Sequence, residues 1–326
     1  MSDEVETMFY AADRGMPWHG KGFALETAVS SKEAYVASGL NWEVKIGPLH
    51  DHLQRPIPNR VTIYRATDDK VLGDATDIYT PIQNQVLFDI GDAYFKDGAA
   101  KYDTGGSLRE GKEVFLLLLL PHTIMVNGTD KHLPYLLLRS GHDGNTSFGG
   151  WLTRIRAVCY NTVNEAMQGK AAFRIEHYGD VNKRLVEAGK KIRITTEADK
   201  RFELWLNQMA ATNVQPLMVE KIEKALFGDL EEVTSMAKNQ AGLWRKILAA
   251  ETEQFGWNQY SFFNSITGMA DHGLSVRKRP DGDERMVATY DGLIQNWKAR
   301  GVKVLEEVIQ LPKQPSVSAV ASDMGF

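Results

Sequence analysis

The chain contains 326 residues, of which 43% are apolar and 25% are charged, and its formal net charge is -4. This balance excludes wholesale disorder and a collagen-like fibre, and the length suits one large or two modest globular domains. The single cysteine, Cys159, excludes an internal disulfide framework and an all-cysteine metal cluster. The net charge excludes a globally basic nucleic-acid binder, although a locally basic one stays open.

The sequence also lacks the patterns of export and membrane insertion. Its opening, MSDEVETMFY, does not have the basic and then apolar pattern of a signal peptide. The longest apolar run, Val114 to Leu120, has the length of a strand and is far shorter than the ~18 residues that span a membrane. We therefore expect a soluble, cytoplasmic protein.

The first third of the chain shows strand signals and then a helix. Between about residues 41 and 77, the runs WEVKI, RVTIYRA and KVLGDA are rich in β-branched and aromatic residues. The Asp68-Asp69 pair predicts a hairpin turn between the last two runs. Thr80 and Pro81 predict a helix start, with Thr as N-cap and Pro in the first helical position. The supporting apolar stripe comprises Ile82, Val86, Leu87, Ile90 and Tyr94, and Gly98 is the predicted end.

Two apolar runs predict strands that are buried on both faces. KEVFLLLLLP and HLPYLLLRS have strand length, and their uninterrupted leucines are typical of the centre of a sheet. The connection between them contains Asn127-Gly128, which predicts a tight turn.

After Gly149 and Gly150 the apolar spacing becomes helical for most of the remaining chain. The tail from Leu311 is rich in Pro, Ser and Ala, which predicts disorder. The predicted helical segments are residues 151–168, 180–190, 197–211, 214–227, 231–254, 257–272 and 292–308.

These signals predict an α+β fold. A strand-rich N-terminal half with a mostly antiparallel sheet and packed helices precedes a mainly helical C-terminal half. We expect a strand-rich core domain at residues 1–150, a basic and helical region at 151–310 that packs on the core or extends it, and a disordered tail at 311–326.

Charge is distributed unevenly along the chain. Residues 1–150 hold 14 Lys and Arg against 20 Asp and Glu, whereas residues 151–205 hold 11 against 7. The second segment therefore carries a net charge of +4 within an acidic protein.

Common catalytic signatures are absent from the sequence. It contains no Walker-type phosphate loop, no G-x-G-x-x-G after a strand, no G-x-S-x-G and no H-E-x-x-H. We interpret Thr104 to Ser107, which contains two glycines, as a β-turn between strands. His50 and His52 are interpreted as surface loop histidines, because no cysteine and no clear carboxylate accompanies them at metal-ligand spacing.

The triplet His142-Asp143-Gly144 follows a predicted buried strand and has two interpretations. In one, His142 is a general base or ligand at the strand end; in the other, Asp and Gly form a turn. We favour the turn, because the sequence places no second catalytic group beside it. Cys159 lies in the apolar helical pattern RIRAVCYNT, which favours a buried structural thiol over a nucleophile.

The basic segment has the residue types of a nucleic-acid surface. Arg154 and Arg156 stand near a predicted helix start, where backbone N–H groups favour anions, and with Asn161 they are candidate phosphate ligands. Basic groups on phosphates and aromatic rings on bases are what single-strand binding requires. The other candidates are Lys170, Phe173, Arg174, Tyr178, Lys183, Arg184, Lys190, Lys191 and Arg193, with Arg277, Lys278 and Arg279 in a predicted loop.

The alternative for this segment is a solvated helix face without a ligand. Glu176, Asp180 and Glu187 lie among the basic residues and dilute their charge.

Three stretches together resemble a phage- and plasmid-borne family known as domain of unknown function 932. GMPWHGKG at residues 15–22 resembles its opening, P-W-H-G-x-G. His142 to Gly144, followed by RIRAVCYNT at residues 154–162, is similar to its central block. QYSFFNSITGMADH at residues 259–272 is similar to its C-terminal N-A-V-T-x-x-x-D-H stretch. The resemblance covers about residues 8 to 310 and implies a mobile-element origin and a bacterial host cytoplasm, but no established activity.

We favour the hypothesis of a non-enzymatic, oligomeric DNA-binding protein of a phage or plasmid. In outline the chain is similar to phage single-strand annealing proteins, so a recombination factor that anneals strands is expected. Its partners would be single-stranded DNA and further copies of itself, with no membrane partner and no cofactor.

Two alternatives stay open. The first is a metal-dependent hydrolase or nuclease that uses Mg²⁺ or Mn²⁺ at His142, Asp143, Asn161, Asp271 and His272. The second is a host-modulating interaction module, with Trp18 and His19 as contact residues. The C-terminal ASDMGF would be a docking segment for a host protein.

Overall fold

The computed structural model describes residues 5–17, 20–26, 30–94, 101–121, 123–153, 163, 167, 171–270 and 293–314. Its contacts divide the chain into two compact units. The first contains the described residues up to Ile124 and from His132 to Asp199. The second contains Met125–Lys131 and the described residues from Lys200 onwards.

The elements confirm the predicted α+β class, with strands mainly in the first half and helices mainly in the second. The strands are β1 Val5–Ala11, β2 Phe23–Leu25, β3 Val44–His50, β4 Pro56–Arg65, β5 Lys70–Thr76, β6 Lys101–Leu108, β7 Glu113–Leu119, β8 Ile124–Val126, β9 Asp130–His132, β10 Tyr135–Gly141, β11 Phe148–Thr153 and β12 Phe173–Ile175. The helices are α1 Ser31–Ala37, α2 Gln85–Tyr94, α3 Val181–Ala211, α4 Met218–Phe227, α5 Ser235–Phe255, α6 Gln259–Gly268 and α7 Leu293–Ile309.

The first unit is built on a sheet with the strand order β12-β11-β10-β7-β6-β1-β2. Its neighbours are antiparallel except for β1 and β2, which run parallel. The leucine-rich runs form the central strands β7 and β10, as predicted. Leu116 lies opposite Leu138, and Leu117 lies opposite Leu137. The first pair packs into one core cluster and the second into another, so both faces of the sheet are covered.

A second, three-stranded sheet of order β3-β4-β5 confirms the predicted N-terminal strands. The predicted turn between β4 and β5 is also confirmed. Asp69 adopts a positive φ of 56°, and the Asp68 carboxylate accepts a hydrogen bond from the Lys70 N–H at 3.3 Å. The Asn127-Gly128 turn likewise joins β8 to β9, with Asn127 at a φ of 50°.

Helix α2 begins at Gln85, and the predicted start at Thr80-Pro81 is wrong. The Thr80 N–H donates to the carbonyl of His177 at 2.7 Å, so the chain is held against another segment at this point. The Gln83 amide then pairs with both the N–H and the carbonyl of Val44, each at 2.9 Å. These tertiary hydrogen bonds outweigh the local helix signal.

Thr104 to Ser107 form the middle of strand β6, so the predicted β-turn is wrong. The small residues are required by close packing. A Cβ on Gly106 would clash with the carbonyl oxygen of Thr7 in the neighbouring strand β1.

The predicted helix at residues 151–168 does not begin at Trp151. Residues 151–153 continue strand β11, because Trp151 pairs with Leu137 and Thr153 with Tyr135 across β10. The rest of that prediction, including Cys159, lies outside the described residues except for positions 163 and 167. The two segments predicted at 180–190 and 197–211 are one continuous helix, α3.

The second unit buries indole rings among its helices. The Trp244 indole on α5 is fully buried and donates to the Ser265 hydroxyl on α6 at 3.0 Å. The Trp205 indole donates to the carbonyl of Pro312 at 2.8 Å, and Leu311 is buried beside that end. The first residues of the predicted tail therefore make packing contacts, and residues 315–326 lie outside the described part of the chain.

The predicted domain boundary at residue 150 stays a prediction.

Within the described ranges, no helix combines the length and the apolar character that a membrane crossing needs.

We predict that Gly106→Ala lowers the free energy of unfolding by about 1–3 kcal/mol, because the added methyl group overpacks the contact between β6 and β1. Urea unfolding followed by circular dichroism measures this change. The matched control is Gly242→Ala on the exposed side of α5, where no atom lies within 4 Å of the added Cβ. The control should be stabilised by about 0.5–1 kcal/mol, since alanine is the better helix former. Equal effects at the two positions would contradict the packing argument.

Candidate functional site at the junction of strand β12 and helix α3

The His142-Asp143-Gly144 triplet forms the turn that the sequence favoured. The Asp143 carboxylate accepts hydrogen bonds from the N–H groups of Asn145 at 3.0 Å and Thr146 at 2.8 Å, and from the Thr146 hydroxyl at 2.9 Å. Burial raises the pKa of Asp143, but these hydrogen bonds outweigh it and hold the pKa below its usual value. Gly144 adopts a φ of 81°, where a Cβ would clash with the carbonyl oxygen of Asp74.

The first residue of this turn, His142, has a buried imidazole. It has no exposed surface, its Nε2 lies 2.8 Å from Oδ1 of Asn84, and its ring meets the edge of Trp42. Burial lowers the pKa of His142 to about 3, so the ring is neutral at physiological pH. The structure therefore gives His142 a structural position and does not place it as a general base in an open site.

The other residues of the hydrolase hypothesis lie outside the described residues: Asn161, Asp271 and His272. Within the part of the chain that the structure describes, no group of three His, Cys, Asp or Glu side chains is arranged to hold a metal ion.

A second buried histidine lies close to this turn. The His177 ring is 7% exposed and stacks parallel on Tyr79, with centroids 5.0 Å apart. Burial lowers the pKa of His177 to about 4, although nearby backbone groups of Thr80 and Thr146 act in the opposite direction. Among the described residues, no hydrogen bond of good geometry reaches either ring nitrogen or the Tyr79 hydroxyl. Such orphaned polar atoms are uncommon in folded proteins and cluster at functional sites or at buried waters.

Outside these rings lies a cleft of about 450 Å³. Four parts of the first unit form it: strand β4, strand β5 with the residues that follow it, the turn that contains Gly144, and the segment that follows β12. The lining residues are Arg60, Asp74, Ala75, Thr76, Ile78, Tyr79, Gly144, Asn145, Thr146, Ser147, Glu176, His177 and Tyr178. The sequence did not predict this cleft, because its walls come from segments about 100 residues apart.

One side chain joins this cleft to the basic start of helix α3. Tyr178 lines the cleft and is 48% exposed. The guanidinium carbon of Arg184 lies 5.1 Å from the centroid of the Tyr178 ring, a cation–π contact. The Tyr178 hydroxyl is hydrogen-bonded to the Glu176 carboxylate, which raises the pKa of the phenol. Asp180 caps the helix, since its Oδ1 accepts from the N–H of Lys183 at 3.0 Å.

Only some of the residues that were predicted to bind nucleic acid lie at this surface. Arg174 is exposed on the edge strand β12, and Lys183 is exposed on the first turn of α3. Phe173 is only 3% exposed and packs against Phe148 in the core, so its predicted role in stacking on bases is wrong. The side chains of the remaining candidates lie outside the described residues: Arg154, Arg156, Asn161, Lys170, Lys190, Lys191, Arg193, Arg277, Lys278 and Arg279.

Residues 71–291 match the family model described as Domain of unknown function (DUF932). The chain belongs to this family. The match confirms the resemblance over the HDG turn and the stretch near residue 260, while GMPWHGKG lies before the matched residues. No curated protein matches the chain, and no solved structure does. In this DUF932 protein, the cleft and the Tyr178–Arg184 pair both lie inside the matched range.

The C-terminal family stretch lies in the second unit and makes structural contacts there. The Asn264 amide donates to Oε2 of Glu251 at 3.1 Å, and the Tyr260 hydroxyl is hydrogen-bonded to the Asp130 carboxylate. Burial raises the pKa of Glu251. Asn264 and Tyr260 therefore contribute to the packing of α6 against α5 and against the start of β9.

We predict that stability falls as the pH is lowered from 7 to 5. The folded-state pKa values of His142 and His177 lie below the ordinary value of 6.5, so the unfolded chain takes up protons first. Each histidine contributes a slope of about 1.4 kcal/mol per pH unit below pH ~6.5, and the stability is fully present above it. Urea unfolding at a series of pH values measures the slope.

His177→Gln should remove about half of this slope, whatever its effect on stability at pH 7. His52→Gln is the matched control, because its imidazole is exposed to water in the folded chain as in the unfolded one. A parent protein whose stability is flat from pH 7 to 5 would refute the buried, neutral state of both rings.

Proposed function

We propose that this protein binds single-stranded DNA without catalysing bond chemistry, through the surface where β12 meets α3. The observation that carries the proposal is the pair of Tyr178 and Arg184. An exposed ring with a guanidinium on one face offers its other face to a base, and the guanidinium offers its N–H groups to a phosphate.

The surroundings of this pair support the proposal. The Glu176 carboxylate is hydrogen-bonded to the Tyr178 hydroxyl, and the Arg184 Nε donates to the carbonyl of Asp180 at 3.4 Å, so the ring and the guanidinium are oriented before any ligand arrives. Such preorganisation lowers the entropy that binding costs. Lys183 is exposed on the first turn of α3 and adds a positive charge that favours phosphate.

The wider sequence supports the same partner. Residues 151–205 carry a net charge of +4 although the whole chain carries -4. Phosphate binding depends on such local charge, because the salt around a nucleic acid screens distant charges. Within this proposal, the protein is encoded by a phage or plasmid, works in the bacterial cytoplasm, assembles with further copies of itself and anneals strands in recombination.

We predict that Tyr178→Ala weakens binding to a fluorescein-labelled oligothymidine roughly 5- to 150-fold, the loss expected when one stacked base loses its aromatic partner. Fluorescence anisotropy at low salt measures the dissociation constant. The matched control is Phe23→Ala, which removes an aromatic ring that is 69% exposed on the opposite edge strand, β2. Loss of binding in both variants, or in neither, would contradict the site, and no binding by the parent protein would overturn the function.

We further predict a specific change in salt dependence for Lys183→Ala. Removal of one phosphate contact should lower the slope of log K against log salt by about 0.7 on a single strand. Lys221→Ala on the exposed side of α4 is the control and should leave the slope as in the parent. Titrations at a series of salt concentrations measure both slopes. Equal slopes for the parent and both variants would show that Lys183 does not contact a phosphate.

A further inference from the structure

The cleft beside Tyr178 has the size of a small-molecule site. Its volume of about 450 Å³ falls within the ~300–1,000 Å³ that ligand pockets commonly occupy. Because Tyr178 lines the cleft and also belongs to the proposed strand-binding surface, a strand that lies on this ring passes the mouth of the cleft.

The charges in the cleft favour a neutral ligand over an anion. The Arg60 guanidinium at one wall is ion-paired with the Asp74 carboxylate, so its charge is compensated. The Glu176 carboxylate on the opposite segment lines the same cleft and repels phosphate. A ligand that enters must therefore carry N–H donors for a carboxylate and no negative charge of its own.

The remaining groups of the cleft recognise planar polar edges. Asn145, Thr146 and Ser147 line one wall with an amide and two hydroxyl groups, all neutral. Glu176 already accepts the hydrogen bond of Tyr178, but a carboxylate has about four acceptor positions and keeps others for a ligand. A carboxylate of this kind accepts well from the exocyclic amino group of a base such as cytosine.

We propose that the cleft holds one unstacked base of the bound strand, and that Glu176 selects bases with an exocyclic amino group over thymine. This inference rests on the proposed function. Adenine, cytosine and guanine offer the amino group, whereas the exposed edge of an unpaired thymine has a single N3–H between two carbonyl oxygens, and a carboxylate repels those oxygens. Tyr178 stacks on the neighbouring base, and Arg184 contacts the phosphate between the two nucleotides.

The test compares oligothymidine with the same oligonucleotide in which one central thymidine is replaced by deoxycytidine. Anisotropy titrations of the parent protein should give about five-fold tighter binding for the deoxycytidine strand. In Glu176→Gln this preference should fall below about two-fold, because an amide also donates to the thymine carbonyl. Glu220→Gln, an exposed carboxylate on α4, is the control and should keep the preference of the parent.

The outcomes separate this inference from the proposed function. If the parent binds both strands equally, or if Glu176→Gln keeps the preference, the inference is overturned while single-strand binding stands. If no oligonucleotide binds, the proposed function is overturned. Titrations with free cytidine and thymidine then test base binding in the cleft by itself. Saturation by cytidine but not thymidine, lost in Glu176→Gln, would support the cleft as a base site; equal or absent saturation would overturn it.

Discussion

The first unit depends on one close contact, in which the turn after β10 packs backbone to backbone on strand β5. A Cβ on Gly73 would lie 2.5 Å from the carbonyl oxygen of Asp143, and a Cβ on Gly144 would clash with the carbonyl of Asp74. Only glycine permits this approach from both sides. The contact sets the small sheet against the end of the large one, and the cleft lies beside it.

Buried histidines make that contact sensitive to protonation. His142 and His177 both have lowered pKa values because burial penalises the imidazolium ion. The Nε2 atom of His142 is paired with Asn84, whereas its Nδ1 atom and both ring nitrogens of His177 have no partner of good geometry among the described residues. Buried polar atoms without a hydrogen-bond partner cost stability, so this part of the first unit is less stable than a fully paired one would be.

Neighbouring residues show why a site cannot be identified from residue types alone. Phe173 and Tyr178 are both aromatic residues within the basic segment, and the sequence assigned both to stacking. Phe173 alternates with Arg174 on β12 and points into the core, as Phe148 and Ile175 do. Tyr178 follows the end of the strand, where the chain turns into α3, so its ring reaches the surface. The difference comes from strand pairing, which cannot be deduced from charge or composition.

The sequence by itself determined the α+β class, the central leucine strands, the turns at Asp68-Asp69 and Asn127-Gly128, and the basic segment. These features depend on local periodicity and turn chemistry, which act between residues close in the chain. Only the tertiary structure decided that Thr80 is bound to His177, that Thr104 to Ser107 form a strand, and that Glu176 and Asn145 share a cleft. Each of these depends on contacts between distant segments, and their energies outweigh the small local preferences of the chain.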